Sequence, residues 1–246
     1  ARVRDMRKVI DNYDPSLKMW QGENGAPSEW IPSFALSKYN WSELTQAKYN
    51  ARRMLGDLGH GCRSLVFTMA DLIYTRGENL VHNRKGLLKT DIKNHQVVKV
   101  KHAYYTVQNI VSIFDNTVQL TPEIQCEIAP VASTVSQGEV EEVTSYTYSK
   151  KSGGQSIVLF WNGNHVPSDS NDAARTKMTI KNAKLSDPVW LDFITGRVYV
   201  LPEGAAQEKD GVWFFTDIPV YDAPTAILDR TLLTYEPWPP NTWKIQ

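Results

Sequence analysis

Residues 19–25 read MWQGENG: Met19, Trp20, Gln21, Gly22, Glu23, Asn24, Gly25. A short apolar run ends in a carboxylate that stands between two glycines, with an amide on either side. The segment SLKMWQG (16–22) predicts a short buried strand, and Glu23 lies at its tip. Gly22 and Gly25 remove side chains around that carboxylate and permit close approach of a ligand. Trp20 supplies a ring face, while Gln21 and Asn24 supply amides. These are the groups that suit a sugar ring, with its apolar C–H faces and its rim of hydroxyls. The competing role for Glu23 is structural, as the partner of an arginine or the cap of a helix.

Working outward, residues 1–115 alternate helical and strand periods. ARVRDMRKVIDNY (1–13) sets Val3, Met6, Val9 or Ile10 and Tyr13 on one stripe, and Asp14-Pro15 stops the helix. NWSELTQAKYNARRMLGDLGHG (40–61) spaces Leu44, Ala47, Ala51, Met54, Leu55 and Leu58 helically, with Asn40 or Ser42 as cap and glycines at its C-terminal end. RSLVFTMADLIY (63–74) predicts the next strand. QVVKVKHAYYTVQNIVSIFD (96–115) repeats the helical period through Val97, Val100, Tyr104, Val107, Ile110, Val111 and Phe114. This order predicts βα units around a parallel sheet. The helix-to-strand link at 59–62 is short, whereas the strand-to-helix links at 23–40 and about 72–94 are long. In parallel α/β sheets chemistry collects on that second kind of loop. The 23–40 loop adds Trp30, Phe34, Tyr39 and Trp41.

From residue 116 the helical period gives way to alternating β-branched and aromatic segments, such as EVTSYTYSK (142–150), QSIVLFWNG (155–163) and PVWLDFITGRVYVLP (188–202). Turn signals separate them, including Thr195-Gly196. The pattern predicts an antiparallel β-sandwich over 116–246. Alternation sends at least some of Trp161, Trp190 and Trp213 inward, against their use as a sugar platform. The proline-rich tail YEPWPPNTWKIQ (235–246) predicts an extended surface segment. The expected fold class is therefore α/β plus all-β, with a domain at 1–115 and a second at 116–246.

Composition narrows the function. Lys plus Arg and Asp plus Glu are 27 each, so no overall field draws the chain to nucleic acid or an anionic membrane. No apolar run approaches the roughly 20 residues of a membrane helix. Cys62 and Cys126 read as free thiols, and neither has a metal-ligand neighbour at a suitable spacing. His60, His82, His95, His102 and His165 show no paired spacing, so no metal is expected. No dinucleotide fingerprint and no nucleophile-elbow motif occurs, and no cofactor is implied.

KMWQGENG, SLVFTMADLIY and HAYYTVQNIVSIFD together resemble the seventh strand, eighth strand and last helix of retaining glycoside hydrolases of the large (β/α)₈ clan. The C-terminal segments PVWLDFITGRVYVLP and IPVYDAPTAILDR resemble the β-sandwich that follows the barrel in many members that degrade polysaccharides. The resemblance implies a partial (β/α)₈ barrel, its last two strands and their helices, followed by an antiparallel β-sandwich. It implies Glu23 as nucleophile of a double displacement, with a second carboxyl about 5–5.5 Å away as acid/base. That residue belongs to a fourth strand this chain lacks. Asp71 is the other carboxylate placed to reach the same face, as acid/base or as a substrate contact. Trp20, Gln21, Asn24, Trp30, Asp71, Tyr74, Asn83 and Arg84 are the candidate substrate-binding residues. Asn83, Arg84 and Lys85 suit a charged or sulfated sugar. Two strands cannot close an eight-stranded ring, so the resemblance implies the C-terminal portion of a longer enzyme, inactive by itself. The implied partners are a carbohydrate substrate and the missing N-terminal barrel portion or a second copy, in a secreted or periplasmic setting. The alternative is a non-catalytic carbohydrate-binding or structural module in which Glu23 is a ligand contact.

Overall fold

A computed structural model describes residues 2–30, 36–91, 93–131, 143–163 and 165–234. Phe34 and the 235–246 tail lie outside these residues. The N-terminal part holds three helices, α1 (Arg2–Tyr13), α2 (Glu43–Leu58) and α3 (His102–Val111), and six strands. The strands are β1 (Met19–Asn24), β2 (Cys62–Val66), β3 (Leu72–Arg76), β4 (Asn79–Asn83), β5 (Leu88–Thr90) and β6 (Val97–Val100). Ten further strands follow: β7 (Val118–Leu120), β8 (Gln125–Pro130), β9 (Val143–Lys150), β10 (Ser156–Asn162), β11 (Ala174–Lys181), β12 (Pro188–Asp192), β13 (Arg197–Val200), β14 (Ala206–Lys209), β15 (Val212–Val220) and β16 (Thr225–Asp229).

These ten form two antiparallel sheets, ordered β13-β12-β16-β10-β9-β7 and β14-β15-β11-β8. The six-stranded sheet is covered on both faces. Ile157, Leu159 and Trp161 of β10 join Leu191, Ala226 and Leu228 against Ala51 and Leu55 of α2 and Ile110 of α3. Val158 and Phe160, which alternate with them, pack with Ile227 against Met178, Ile180, Phe215 and Ile218 of the other sheet. Central burial on both sides explains why SIVLFWN is apolar without alternation. The molecule is thus layered as helices, a six-stranded sheet and a four-stranded sheet, and one apolar cluster spans residues on both sides of position 115.

Helix α2 starts in a capping box: the Ser42 hydroxyl accepts from the Thr45 amide, and the Thr45 hydroxyl accepts from the Ser42 amide. Its Lys48 is fully buried and ties the helix to the sandwich, donating to Asp222 Oδ1 (2.6 Å) and to the carbonyls of Ser168 (2.9 Å) and Ser170 (2.5 Å).

The fold class expected from the sequence is corrected. The described residues are mainly antiparallel β with three α-helices, and βα units do not repeat among them. Among the described residues one pair of strands is parallel, β1 with β2, joined across α2. The barrel-clan resemblance, its partial (β/α)₈ barrel and the glycoside hydrolase membership built on it are withdrawn with that reading. The reasons are local. RSLVFTMADLIY is not one strand: β2 ends at Val66, the Phe67–Thr68 peptide is cis, and Leu72 opens a hairpin in which Arg76 faces Asn79 across Gly77-Glu78. The expected 72–94 loop thus carries β3, β4 and β5. QVVKVKHAYY is strand before it is helix, because Val97–Val100 pairs with β5 and α3 begins only at His102. The apolar stripe of α1 faces solvent, with Met6, Val9 and Tyr13 exposed.

Candidate functional site

β1 and β2 run in register from Met19 opposite Cys62 to Gln21 opposite Ser64, after which Asn24 pairs with Val66. Three steps on β1 therefore match two on β2, a bulge that falls on Gly22 and Glu23. The Gln21 side-chain amide donates to the Glu23 carbonyl at 2.8 Å and holds the bulge. A bulge re-aims the side chain it carries. Here the Glu23 carboxylate is left 64% exposed, with Oε1 at 3.8 Å from Lys85 Nζ. The same ammonium lies 5.9 Å from the Phe67 ring centre.

Beneath this rim the strand end is fastened from two directions. The buried Asn24 amide donates to Ser64 Oγ (2.8 Å), which donates to Asp57 Oδ2 (2.9 Å), itself paired with Arg53 (3.1 Å). The Asn24 carbonyl accepts from the Phe67 amide at 2.7 Å. A Cβ on Gly25 would stand 2.1 Å from the Phe67 oxygen, so the chain can pass there only without a side chain.

The second fastening centres on Asp71. Its Oδ1 accepts from Lys101 Nζ (2.6 Å) and from the Gly86 amide (3.0 Å), and Arg84 lies 3.6 Å from its other oxygen. Lys101 also donates to Ser28 Oγ (2.9 Å) and to the Arg84 carbonyl (3.3 Å). Both side chains of the Asp71–Lys101 pair are almost wholly enclosed. Burial pushes the Lys101 ammonium below its ordinary range, and Asp71 partly restores it. A Cβ on Gly86 would meet the Asp71 amide nitrogen at 2.2 Å, so the two loops touch backbone to backbone. This pair clamps the loops at 26–28, 68–71 and 84–88 into one support.

The candidate residues divide accordingly. Glu23, Trp20, Trp30 and Tyr74 are exposed. Trp20 stacks under the Arg63 guanidinium at 5.1 Å, and Trp30 donates from its indole to the Ser37 carbonyl. Gln21 and Asn24 support the strand tip. Asn83 is buried, donating to the Tyr74 hydroxyl (3.3 Å) and accepting from the Lys85 amide (3.0 Å). Arg84 bridges Glu29 (2.8 Å) and Asp71. The structure brings Asp71 and Arg84 together, and Asn83 with Tyr74, as supports. It brings Glu23 together with Lys85 on the open rim. Sequence reading missed Lys101, which carries no motif; a lone lysine before a helix becomes meaningful only once its enclosure is seen.

Among the sandwich tryptophans Trp161 and Trp190 are buried and Trp213 is partly buried. Cys62 and Cys126 are free thiols. Among the described residues no group of three or more His, Cys, Asp or Glu could hold a metal ion, and no helix is long and apolar enough to cross a membrane. No family model matches the chain, and no curated protein matches it.

Proposed function

We propose that the chain binds carbohydrate at the rim formed by β1 and the loop that follows it, with Glu23 as a ligand contact rather than a nucleophile. One observation carries this reading: a carboxylate on a bulge faces solvent beside an ammonium, with exposed indole rings on the same strand and on the following loop. Carboxylate and ammonium suit the hydroxyl rim of a sugar, and indole faces suit its C–H face. Double displacement needs a second carboxyl within about 5.5 Å. Asp71 is spent on Lys101 and Gly86 in an enclosed site, which favours binding over turnover. The two-stranded β1–β2 sheet has no further strand on either outer edge among the described residues, and such edges favour a protein partner, another polypeptide or a second copy.

Titration calorimetry with a panel of neutral oligosaccharides tests the reading. Binding is expected to fall roughly tenfold or more in Trp20→Ala and in Glu23→Ala, at unchanged melting temperature. Aryl glycosides are expected to show no turnover. The reading fails if no saccharide binds, if both variants bind as well as the parent, or if turnover appears and disappears in Glu23→Gln.

A further inference from the structure

A second cleft opens where α2 crosses the six-stranded sheet. β7 is short and pairs with β9 only from Tyr148 to Lys150, so among the described residues no strand pairs with the other end of β9 on that side. Thr144 and Tyr146 of β9 and the Trp161 ring of β10 form the floor there, while Tyr49, Arg52 and Arg53 of α2 form the roof. The cavity is about 560 Å³, large enough for a monosaccharide unit or two. Its wall is built rather than incidental. The Arg52 guanidinium donates to the carbonyls of Gly163 (2.7 Å) and His165 (2.8 Å), both of which line the cleft. Tyr146 is held by the Trp161 ring at 5.8 Å and by His60, whose Nε2 lies 3.2 Å from its hydroxyl. Tyr49 is held edge-on by Trp41 at 5.5 Å.

Among the described residues the charge of this lining is one-sided: two guanidinium groups line it and no aspartate or glutamate does. Of the nearby acids, Asp57 takes only the Nε side of Arg53, and Asp222 is engaged by Lys48 and Ser168. The terminal nitrogens of Arg53 thus remain available as a planar fork, the geometry that matches a carboxylate.

We propose that this cleft is a second saccharide site, selective for a uronic acid, with Arg53 and Arg52 meeting the sugar carboxylate and Tyr49 and Tyr146 flanking its ring. The inference rests on the carbohydrate reading above; Arg53 also pairs with Asp57 beneath the rim, whereas Thr144 takes no part there, so a variant at Thr144 lets the two fail separately. The intact chain is titrated with a galacturonate oligomer, a neutral oligomer of equal length, a sulfated oligosaccharide and inorganic sulfate. The uronate is expected to bind roughly tenfold tighter than the neutral oligomer, with an affinity that falls as salt rises. Arg53→Gln should remove that preference, and Thr144→Phe, which fills the floor without touching a charge, should remove uronate binding. Lys209→Ala, on exposed β14 of the four-stranded sheet, should leave uronate binding unchanged, and melting temperatures report that each variant folds. The proposal is overturned if the uronate does not bind or is not preferred, or if inorganic sulfate or the sulfated sugar binds as well. It is also overturned if neither Arg53→Gln nor Thr144→Phe weakens uronate binding. Uronate binding that meets these expectations while neutral sugars ignore Trp20 and Glu23 sinks the rim reading alone.

Discussion

Replacing Asp71 by alanine tests the support under the rim. The substitution takes the 2.6 Å acceptor from Lys101 and the 3.0 Å acceptor from the Gly86 amide, while the ammonium stays enclosed with only Ser28 Oγ and the Arg84 carbonyl. An uncompensated buried charge costs about 3–5 kcal/mol. Deprotonation caps the loss, since each pKa unit of displacement corresponds to about 1.4 kcal/mol. A cost of about 3–4 kcal/mol at neutral pH is expected. Adding Lys101→Met removes the stranded charge while keeping an apolar stem of similar length. The double variant should recover about 2–3 kcal/mol of that cost, a coupling far above the ~0.5 kcal/mol of independent sites. Urea unfolding at pH 7, with slopes compared to confirm two-state behaviour, measures all four corners. The pH dependence adds a sign. Lys101 titrates lower when folded than its ordinary 10.5, so between the two values the unfolded chain binds more protons and stability rises with pH. Asp71→Ala should steepen that rise and Lys101→Met should abolish it. A cost below about 1 kcal/mol for Asp71→Ala, or a double variant no more stable than the single, would mean that Lys101 does not depend on Asp71 for its buried charge.

Asp229 should govern part of the acid limb. Burial pushes its carboxyl upward, but hydrogen bonds from Thr231 and Ser186 outweigh that and hold it at about 2, against an ordinary 3.8. The contribution, about 2 kcal/mol, is present above pH 4 and lost as pH falls toward 2; acid titration of Asp229→Asn should lack that loss. Gly25→Ala and Gly86→Ala each drive a Cβ into backbone, at 2.1 and 2.2 Å, so each should cost roughly 1–3 kcal/mol or more in thermal unfolding. Gly22→Ala meets nothing within 4 Å and should cost clearly less than either.

Short-range signals were legible. Asp14-Pro15 does end α1, and the stripe from Ala47 through Leu55 does mark the buried face of α2. The segments of β-branched and aromatic residues after residue 116 are strands. What failed was inference from alternation to architecture. A helix between two apolar runs is compatible with one parallel pair as well as with a repeating barrel, and nothing local counts the units. A twelve-residue apolar stretch such as 63–74 does not announce its break, because the contacts that end β2 and begin the hairpin come from Asn24, Lys85 and Gly86, far away in sequence. Valines at 97, 98 and 100 serve strand or helix, and pairing with β5 decides between them. At the site, exposed Glu23 and Trp20 could be proposed from their neighbours, whereas the enclosure of Asp71 by Lys101 depends on a contact thirty residues away.

The six-stranded sheet is a party wall. Ile157, Leu159, Leu191 and Leu228 belong to the helical side as fully as Val158, Phe160 and Ile227 belong to the other. Neither side is a cassette that recombination could lift out intact, since a cut near residue 115 strips the plaster from a surface that has no polar finish.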